Sequence, residues 1–424
     1  MKKDKPTILV IFGITGDLAG RYLLSAIKAI AKAKMLPRKF KIVGITRKSG
    51  TEFYQMDITS LEDYAVLGEH LKKIEKKFGA PAQRLFYLSV PPEASKPIVE
   101  LLGRSGLAKE GETKLLLEKP FGTDLVSAKD LVKNIEKYFN EDQVYRIDHY
   151  LAKEAAQNII IFRNGNSLFK KTWNKDFIES IEIIASEKIG IEGRAHFYEQ
   201  TGALRDYVQS HLLQLSALVL MELPDGCALD EIPRRRLEAL DKLKVACDMR
   251  KKKCVLRGQY MGYRKEVGNP KSMVETFVSV SLISEDPRWR GVPITITTGK
   301  ALDERFTEIR IRYKKTEEHE SNELILRLQP NPGIEFSVFA KKPGYERELS
   351  MHTLHFNFKE YYSQLPEAYE QVIWSAINSD HSLFAGSGEV LASWKILDVV
   401  QKAWKKSKGD LVIYKKGIAA QKIS

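Results

Sequence analysis

The stretch ILVIFGITGDLAG, residues 8–20, decides the class of fold. Its first five residues are apolar without a break, as a strand buried on both faces of a parallel sheet should be. Gly13, Gly16 and Gly20 follow, and then Leu23, Leu24, Ile27, Ile30 and Ala31 recur on one helical face. Strand, glycine turn and helix in that order are the context that dinucleotide binding requires. Glycines let the backbone approach a pyrophosphate, and the helix start offers it unpaired N–H groups. The spacing is G-x-x-G-x-x-x-G rather than G-x-G-x-x-G, so an ordinary βα turn stands as the alternative.

The next strand is read at 41–45 and ends in Thr46-Arg47-Lys48-Ser49. An NAD site ordinarily places an acidic residue there, on the ribose 2′-hydroxyl. A basic pair favours a 2′-phosphate instead, hence NADP, and an Arg47–phosphate hydrogen bond is worth about 1.5–3 kcal/mol. An exposed basic loop is the plainer alternative. Two more βα junctions follow, LFYLSV (85–90) before Pro91-Pro92 and KLLL (114–117) before Glu118-Lys119-Pro120. Ligands of doubly wound sheets lie outside the carboxyl ends of the strands, which makes Lys119 a candidate for cofactor or substrate. Residues 61–78 read as a charged surface helix.

Composition narrows the classes. A chain of 424 residues with 43% hydrophobic content has enough material for a large core and for two or three domains. There is no 18-residue apolar run, so no membrane span is expected. The first residues enter a strand with no leader pattern, and three scattered cysteines (Cys227, Cys247, Cys254) suit a reducing cytoplasm. The net charge of +13 fits a solvated surface or the steering of small anions. The basic runs at 234–236, 251–253 and 402–422 lack aromatic interleaving, so no nucleic-acid partner is expected.

RIDHYLAKE, residues 146–154, concentrates Arg146, Asp148, His149, Tyr150, Lys153 and Glu154. If a helix begins near His149, then His149 and Lys153 share a face suited to a phosphate, with the Tyr150 phenol beside them. Asp148 would repel a phosphate and is better read as the partner of a histidine. Downstream, 151–162 reads as helix, 177–186 as strand and 203–223 as a long helix whose second half is apolar. His211 stands before that buried half, with Asp206 and Gln209 on the polar opening turns. A satisfied core histidine is the plain alternative. Pairing with Asp148 would make His211 a general base, which a sugar hydroxyl losing a hydride needs.

From residue 275 onward the pattern is β: 276–283, 294–298, 308–313, 323–329, 334–340 and 348–358. One broad, mainly antiparallel sheet with helices on one face is expected, then a helical region at 365–404. Lys300 and Arg305 follow a strand and are candidate anion contacts. His352 and His355 lie three apart in a strand and face opposite ways, so no metal site is expected.

Taken together, FGITGDLAG, VGITR, LFYLSVPP, EKPFGTDL, YRIDHYLAKE, TGALRDYVQSHLLQL, DPRWRGVPITITTGKALDER and NELILRLQPNPG resemble the glucose-6-phosphate dehydrogenase family over essentially the whole chain. The resemblance implies oxidation of the C1 hydroxyl of glucose 6-phosphate to a lactone, with hydride passing to NADP, or to NAD as the alternative. It implies that His211 is the base, oriented by Asp148, and that His149, Tyr150 and Lys153 hold the phosphate. Glu187, Asp206, Lys300 and Arg305 match substrate contacts. Lys119 matches a residue near both ligands, and Gly13, Gly16, Asp17, Leu18 and Arg47 match the cofactor site. It further implies a Rossmann-type doubly wound α/β domain at 1–147, an α+β domain at 148–424 with a large, mainly antiparallel sheet, and a homodimer or homotetramer formed through that sheet.

Departures from the family pattern are Arg21-Tyr22 where lysines are common, Ser210 for Asn and Glu199 for Asp. Arg310 and Arg327 match part of a second, structural NADP site found in some relatives. Phe306 and Ser337 replace its lysines, so no structural NADP is expected. A sugar oxidoreductase of other specificity is the alternative enzyme, and a non-catalytic NADP sensor the alternative outside enzymes.

Overall fold

Strands with no polar face cannot leave a side in water, and the apolar runs of the first 147 residues accordingly pair in parallel and are covered on both faces. The structure, a computed structural model, describes residues 4–47, 53–224, 226, 228–246, 254–316, 320–407 and 409–423. Lys48, Ser49 and the basic run at 251–253 lie outside the described residues. The chain divides into two units. The first holds 1–152, 228–233 and 366–391, and the second holds 153–227, 234–365 and 392–424. A single boundary at 147/148 takes no account of the two later segments that belong to the first unit.

Among its described residues the first unit contains seven strands in the order Phe384–Ala385, Val144–Ile147, Thr113–Leu117, Gln83–Leu88, Thr7–Phe12, Phe40–Thr46, Tyr54–Gln55. Every pair is parallel except the first, which is antiparallel. Strand order reverses at Thr7–Phe12, which opens the ligand crevice of doubly wound sheets beyond its carboxyl end. The helix Leu61–Phe78 has the bounds its sequence suggests. The Ser60 hydroxyl accepts from the Asp63 amide at its start, and Gly79 closes it at φ 66°. Ile27 and Ile30 of the helix Leu24–Lys32 share one buried cluster with Val372, Ile373 and Ala376 of the returning helix Ala368–Ile377.

Two buried polar knots fasten that returning segment. The Lys114 ammonium, 3% exposed, donates to Gln83 Oε1 (2.7 Å), the Ala376 carbonyl (2.7 Å) and Ser379 Oγ (2.8 Å). The Tyr87 hydroxyl donates to Glu118 Oε1 at 2.5 Å, and Tyr369 also hydrogen-bonds Glu118. Burial pushes the Glu118 carboxyl up to about 7, and the bonds from the two tyrosines and the nearby Lys119 pull it only partly back.

In the second unit a sheet runs in the order Leu349–Asn357, Gly333–Lys341, Glu323–Gln329, Phe306–Tyr313, Ile178–Ser186, Ile294–Gly299, Phe277–Ser284, Val255–Tyr260, Leu411–Tyr414. The six strands read after residue 275 form close to their expected bounds. The sheet is mainly antiparallel, but Ile178–Ser186 pairs in parallel with Ile294–Gly299, as does Leu411–Tyr414 with Val255–Tyr260. Ile309 and Ile311 point into the core, while Glu308 on the opposite face is closed in by Arg310 (2.6 Å) and Arg327 (3.3 Å). Every residue of the helix Leu213–Leu220 is buried. His352 and His355 fall on the outermost strand, where His352 Nε2 bonds Ser350 Oγ at 2.8 Å.

Cys254 is disulfide-bonded, where the scattered cysteines suit a reducing cytoplasm, and the other two cysteines lie outside the described residues. Among the described residues no helix is long and apolar enough to cross a membrane.

Glu118 makes a pH signature. Its folded value of about 7 lies above the ordinary 4.5, so between those values the folded state holds a proton that the unfolded state has lost. Its contribution to stability therefore declines as pH rises through that window, by at most about 3 kcal/mol. In thermal melts from pH 4.5 to 8, Glu118→Gln should gain on the parent chain steadily as pH rises. A melting-temperature difference that does not vary with pH would refute the assignment.

Candidate active site

The glycine turn is shaped by crowding. Gly13 has φ 80°, and a Cβ there would lie 2.2 Å from the Ser89 carbonyl at the end of the neighbouring strand. Its amide donates to the Ile45 carbonyl at 3.2 Å, so the turn is pressed among three strand ends. Gly16 donates to the Gly13 carbonyl at 2.9 Å. Helical winding begins at Asp17 and passes through a π turn, Ala19–Leu23, earlier than expected. Gly20 is thus inside the helix, bonded to the Gly16 carbonyl at 3.0 Å, with open space around it. Asp17 pairs with Arg21 at 2.7 Å on the surface, and Leu18 packs on the core. Arg47 is exposed directly after Phe40–Thr46. The Thr59 hydroxyl and amide hold the nearby Asp57 carboxyl below its ordinary range, and Arg47 adds to the effect. A glycine that cannot take a side chain, a helix start and an exposed arginine fit a phosphate-bearing dinucleotide.

Lys119 and Asp148 follow adjacent parallel strands, Thr113–Leu117 and Val144–Ile147, and so emerge at the same edge. The Glu118 carboxyl senses both of them. Asp148 is 2% exposed; its Oδ1 accepts from the Tyr150 amide (2.9 Å) and its carbonyl from the Leu151 amide (3.1 Å). This corrects the expected helical face. The Asp148 carbonyl is taken by the amide three residues on, a turn bond rather than a helical one, and residues 149–152 turn. The helix Glu154–Gly165 starts only after Lys153, which is extended (φ −68°, ψ 135°). His149 and Lys153 are therefore not one turn apart on a helix. His149 lies against Tyr150, ring centroids 5.2 Å apart, and the Lys153 ammonium donates to Gln329 Oε1.

In the second unit four of the expected residues converge. Glu187 continues Ile178–Ser186, Lys300 continues Ile294–Gly299, and the parallel register Ser186↔Gly299 sets them side by side. They form a short ion pair in which Lys300 is 2% exposed. The Lys300 ammonium also stands 5.3 Å from the Tyr198 ring centre and 5.8 Å from that of Tyr207. Tyr207 meets His211 edge to face at 5.7 Å. Both His211 and Asp206 are buried on Leu204–Leu212, a π-helical segment that packs on the strands Ile178–Ser186 and Ile294–Gly299. Arg305 is exposed just before Phe306–Tyr313 and joins none of these contacts.

Sequence reading missed several contributors. Glu118 lay inside a quoted motif but carried no spacing signal. The phenol of Tyr198 is driven well above its ordinary value by burial, with Asp206 and Glu275 adding to it, and so stays protonated. Tyr198 and Tyr207 carry no motif or spacing signal, and only packing against Lys300 gives them a place in the site.

Two family models match the chain. The model described as glucose-6-phosphate dehydrogenase, C-terminal domain, matches residues 160–422, and the NAD binding domain model of the same family matches 10–53 and 48–158. The glucose-6-phosphate 1-dehydrogenase of Chlamydia muridarum is 34% identical over 95% of this chain and 91% of its own length. A solved glucose-6-phosphate dehydrogenase in complex with its substrate glucose-6-phosphate superposes with TM-score 0.91 at 29% identity, covering 98% of this chain and 95% of that one. A glucose-6-phosphate 1-dehydrogenase from Mycobacterium avium gives TM-score 0.84 at 30% identity, covering 98% and 94%. The chain belongs to the glucose-6-phosphate dehydrogenase family.

Proposed function

We infer that the chain oxidises glucose 6-phosphate at C1, yielding the lactone, with NADP as the preferred hydride acceptor. The observation that carries the chemistry is His211, an imidazole 1% exposed on a polar π-helical segment, in the same unit as the buried Glu187–Lys300 pair. A bound nicotinamide dinucleotide supplies the acceptor for the hydride. His211 takes the hydroxyl proton onto a ring nitrogen as the C1–H electron pair departs and the C1 carbonyl forms. Asp148 is assigned the orientation of that imidazole and the stabilisation of its cation. His149, Tyr150 and Lys153 are assigned the substrate phosphate. Glu187, Asp206, Lys300 and the exposed Arg305 are assigned the rest of the substrate, with Lys119 between sugar and cofactor. Gly13, Gly16, Asp17 and Leu18 form the pyrophosphate turn, and Arg47 reads the 2′-phosphate.

No second, structural NADP is proposed. Arg310 and Arg327 are engaged with Glu308, and Arg327 also with Glu335 (3.4 Å), so the pair offers an anion little uncompensated charge. Ser337 Oγ is taken up by the Glu323 amide at 2.6 Å. No metal is assigned a role. A homodimer or homotetramer is proposed, with Leu349 and Met351 exposed on the outermost strand of the large sheet. Residence in the cytoplasm is part of the same proposal, and the disulfide at Cys254 pulls against it.

Three measurements test this reading. His211→Asn should lower turnover by about 10²–10⁴ with KM for glucose 6-phosphate little changed, as loss of a general base does; near-parental turnover would remove His211 from the mechanism. Arg47→Ala should raise KM for NADP by about tenfold or more and leave that for NAD nearly unchanged. Equal losses with both cofactors would show that Arg47 does not read the 2′-phosphate. Sedimentation at micromolar concentration should give at least twice the chain mass of 48.3 kDa, and a monomer would end the oligomer proposal.

A further inference from the structure

Glu275 and Thr276 stand at the entry to the strand Phe277–Ser284, and together they grip two separate parts of the site. On one side the Glu275 carbonyl accepts from the Ala203 amide (3.0 Å), and its Oε1 accepts from the Leu204 amide (3.0 Å). Those amides open the π-helical segment that carries Asp206 and His211. Gly202 makes the approach feasible. It has φ 66°, and a Cβ there would lie 2.5 Å from Glu275 Oε1.

On the other side the Thr276 carbonyl accepts from the Lys300 amide at 2.9 Å. The Thr276 hydroxyl and the Tyr414 hydroxyl are 2.8 Å apart, and Tyr414 donates to the Lys300 carbonyl at 2.7 Å. With the Tyr414 proton committed to Lys300, the Thr276 hydroxyl donates to Tyr414 and accepts from the Tyr260 amide at 2.9 Å. Every donor and acceptor in this chain has one role, which makes it stiff.

We propose that Glu275-Thr276 is a positioning element that fixes the separation of the His211 helix from Lys300. The proposal rests on the dehydrogenase reading above. Neither residue is assigned a substrate contact. Glu275 is 7% exposed, and burial raises its carboxyl above the ordinary range. Gln keeps an Oε1 acceptor for the Leu204 amide in a side chain of nearly the same shape, so it should serve nearly as well as Glu.

The test compares Glu275→Ala, Glu275→Gln and Tyr414→Phe in the full chain with steady-state kinetics and thermal melts. Misplacing catalytic groups by about an ångström costs up to about a hundredfold in rate. Glu275→Ala should accordingly lose at least about tenfold in kcat, with KM for NADP unchanged. Glu275→Gln should recover most of the turnover. Tyr414→Phe, which releases only the Lys300 end, should mainly raise KM for glucose 6-phosphate. The proposal is overturned if folded Glu275→Ala turns over like the parent. It is equally overturned if Gln fails to rescue, or if Tyr414→Phe leaves both constants unchanged. Should Glu275→Ala not fold, the Gln and Tyr414→Phe arms still decide. An inactive parent chain would instead sink the dehydrogenase reading.

Discussion

Burying a lysine to 2% exposure strips its head group of water, and the pairing of Lys300 with the Glu187 carboxylate that offsets this loss is the interaction around which the second unit's site is arranged. Removing either partner would leave a stranded charge. The pair exists because two strands run the same way. Ile178–Ser186 and Ile294–Gly299 are parallel, with Ser186 opposite Gly299, so the residue after each strand emerges at the same edge. In an antiparallel pair they would lie at opposite ends. The helix with Asp206 and His211 packs across those two strands, and Tyr207 joins its imidazole to the lysine.

The first unit uses the same device. Its parallel strands deliver Gly13, Arg47, Lys119 and Asp148 to one edge, because each follows the carboxyl end of a strand in a single sheet. The backbone, rather than side-chain contacts, does the gathering. What the side chains add is local: Asp148 braces the turn that follows its strand, and Glu118 is buried deeply enough to hold its proton near neutrality.

Much of this was legible beforehand. Alternating and continuous apolar runs marked the strands, since a side chain's burial is set by a period of two in a sheet and that period is written in the chain. The helix Leu61–Phe78 was legible to the residue because its Ser60 and Gly79 ends are local signals. The short strands Leu243–Val245 and Phe384–Ala385 were not, because two or three residues carry no period. The π winding of Leu204–Leu212 was equally hidden, since the amides at its entry donate to Glu275, which is distant in sequence.

The element types, the doubly wound α/β start, the later sheet and the chemical identity of the candidate groups are all written in the order of residues. These follow from periodicity and from side-chain chemistry, which are local. Packing alone brings two parallel pairs into the large sheet and sets Glu275, Tyr198 and Tyr414 against Lys300 and the segment that carries His211. Each of those depends on which distant segment supplies the partner of a buried amide or charge. A buried polar group takes the partner that the packed chain brings to it, and no local pattern records which one that will be.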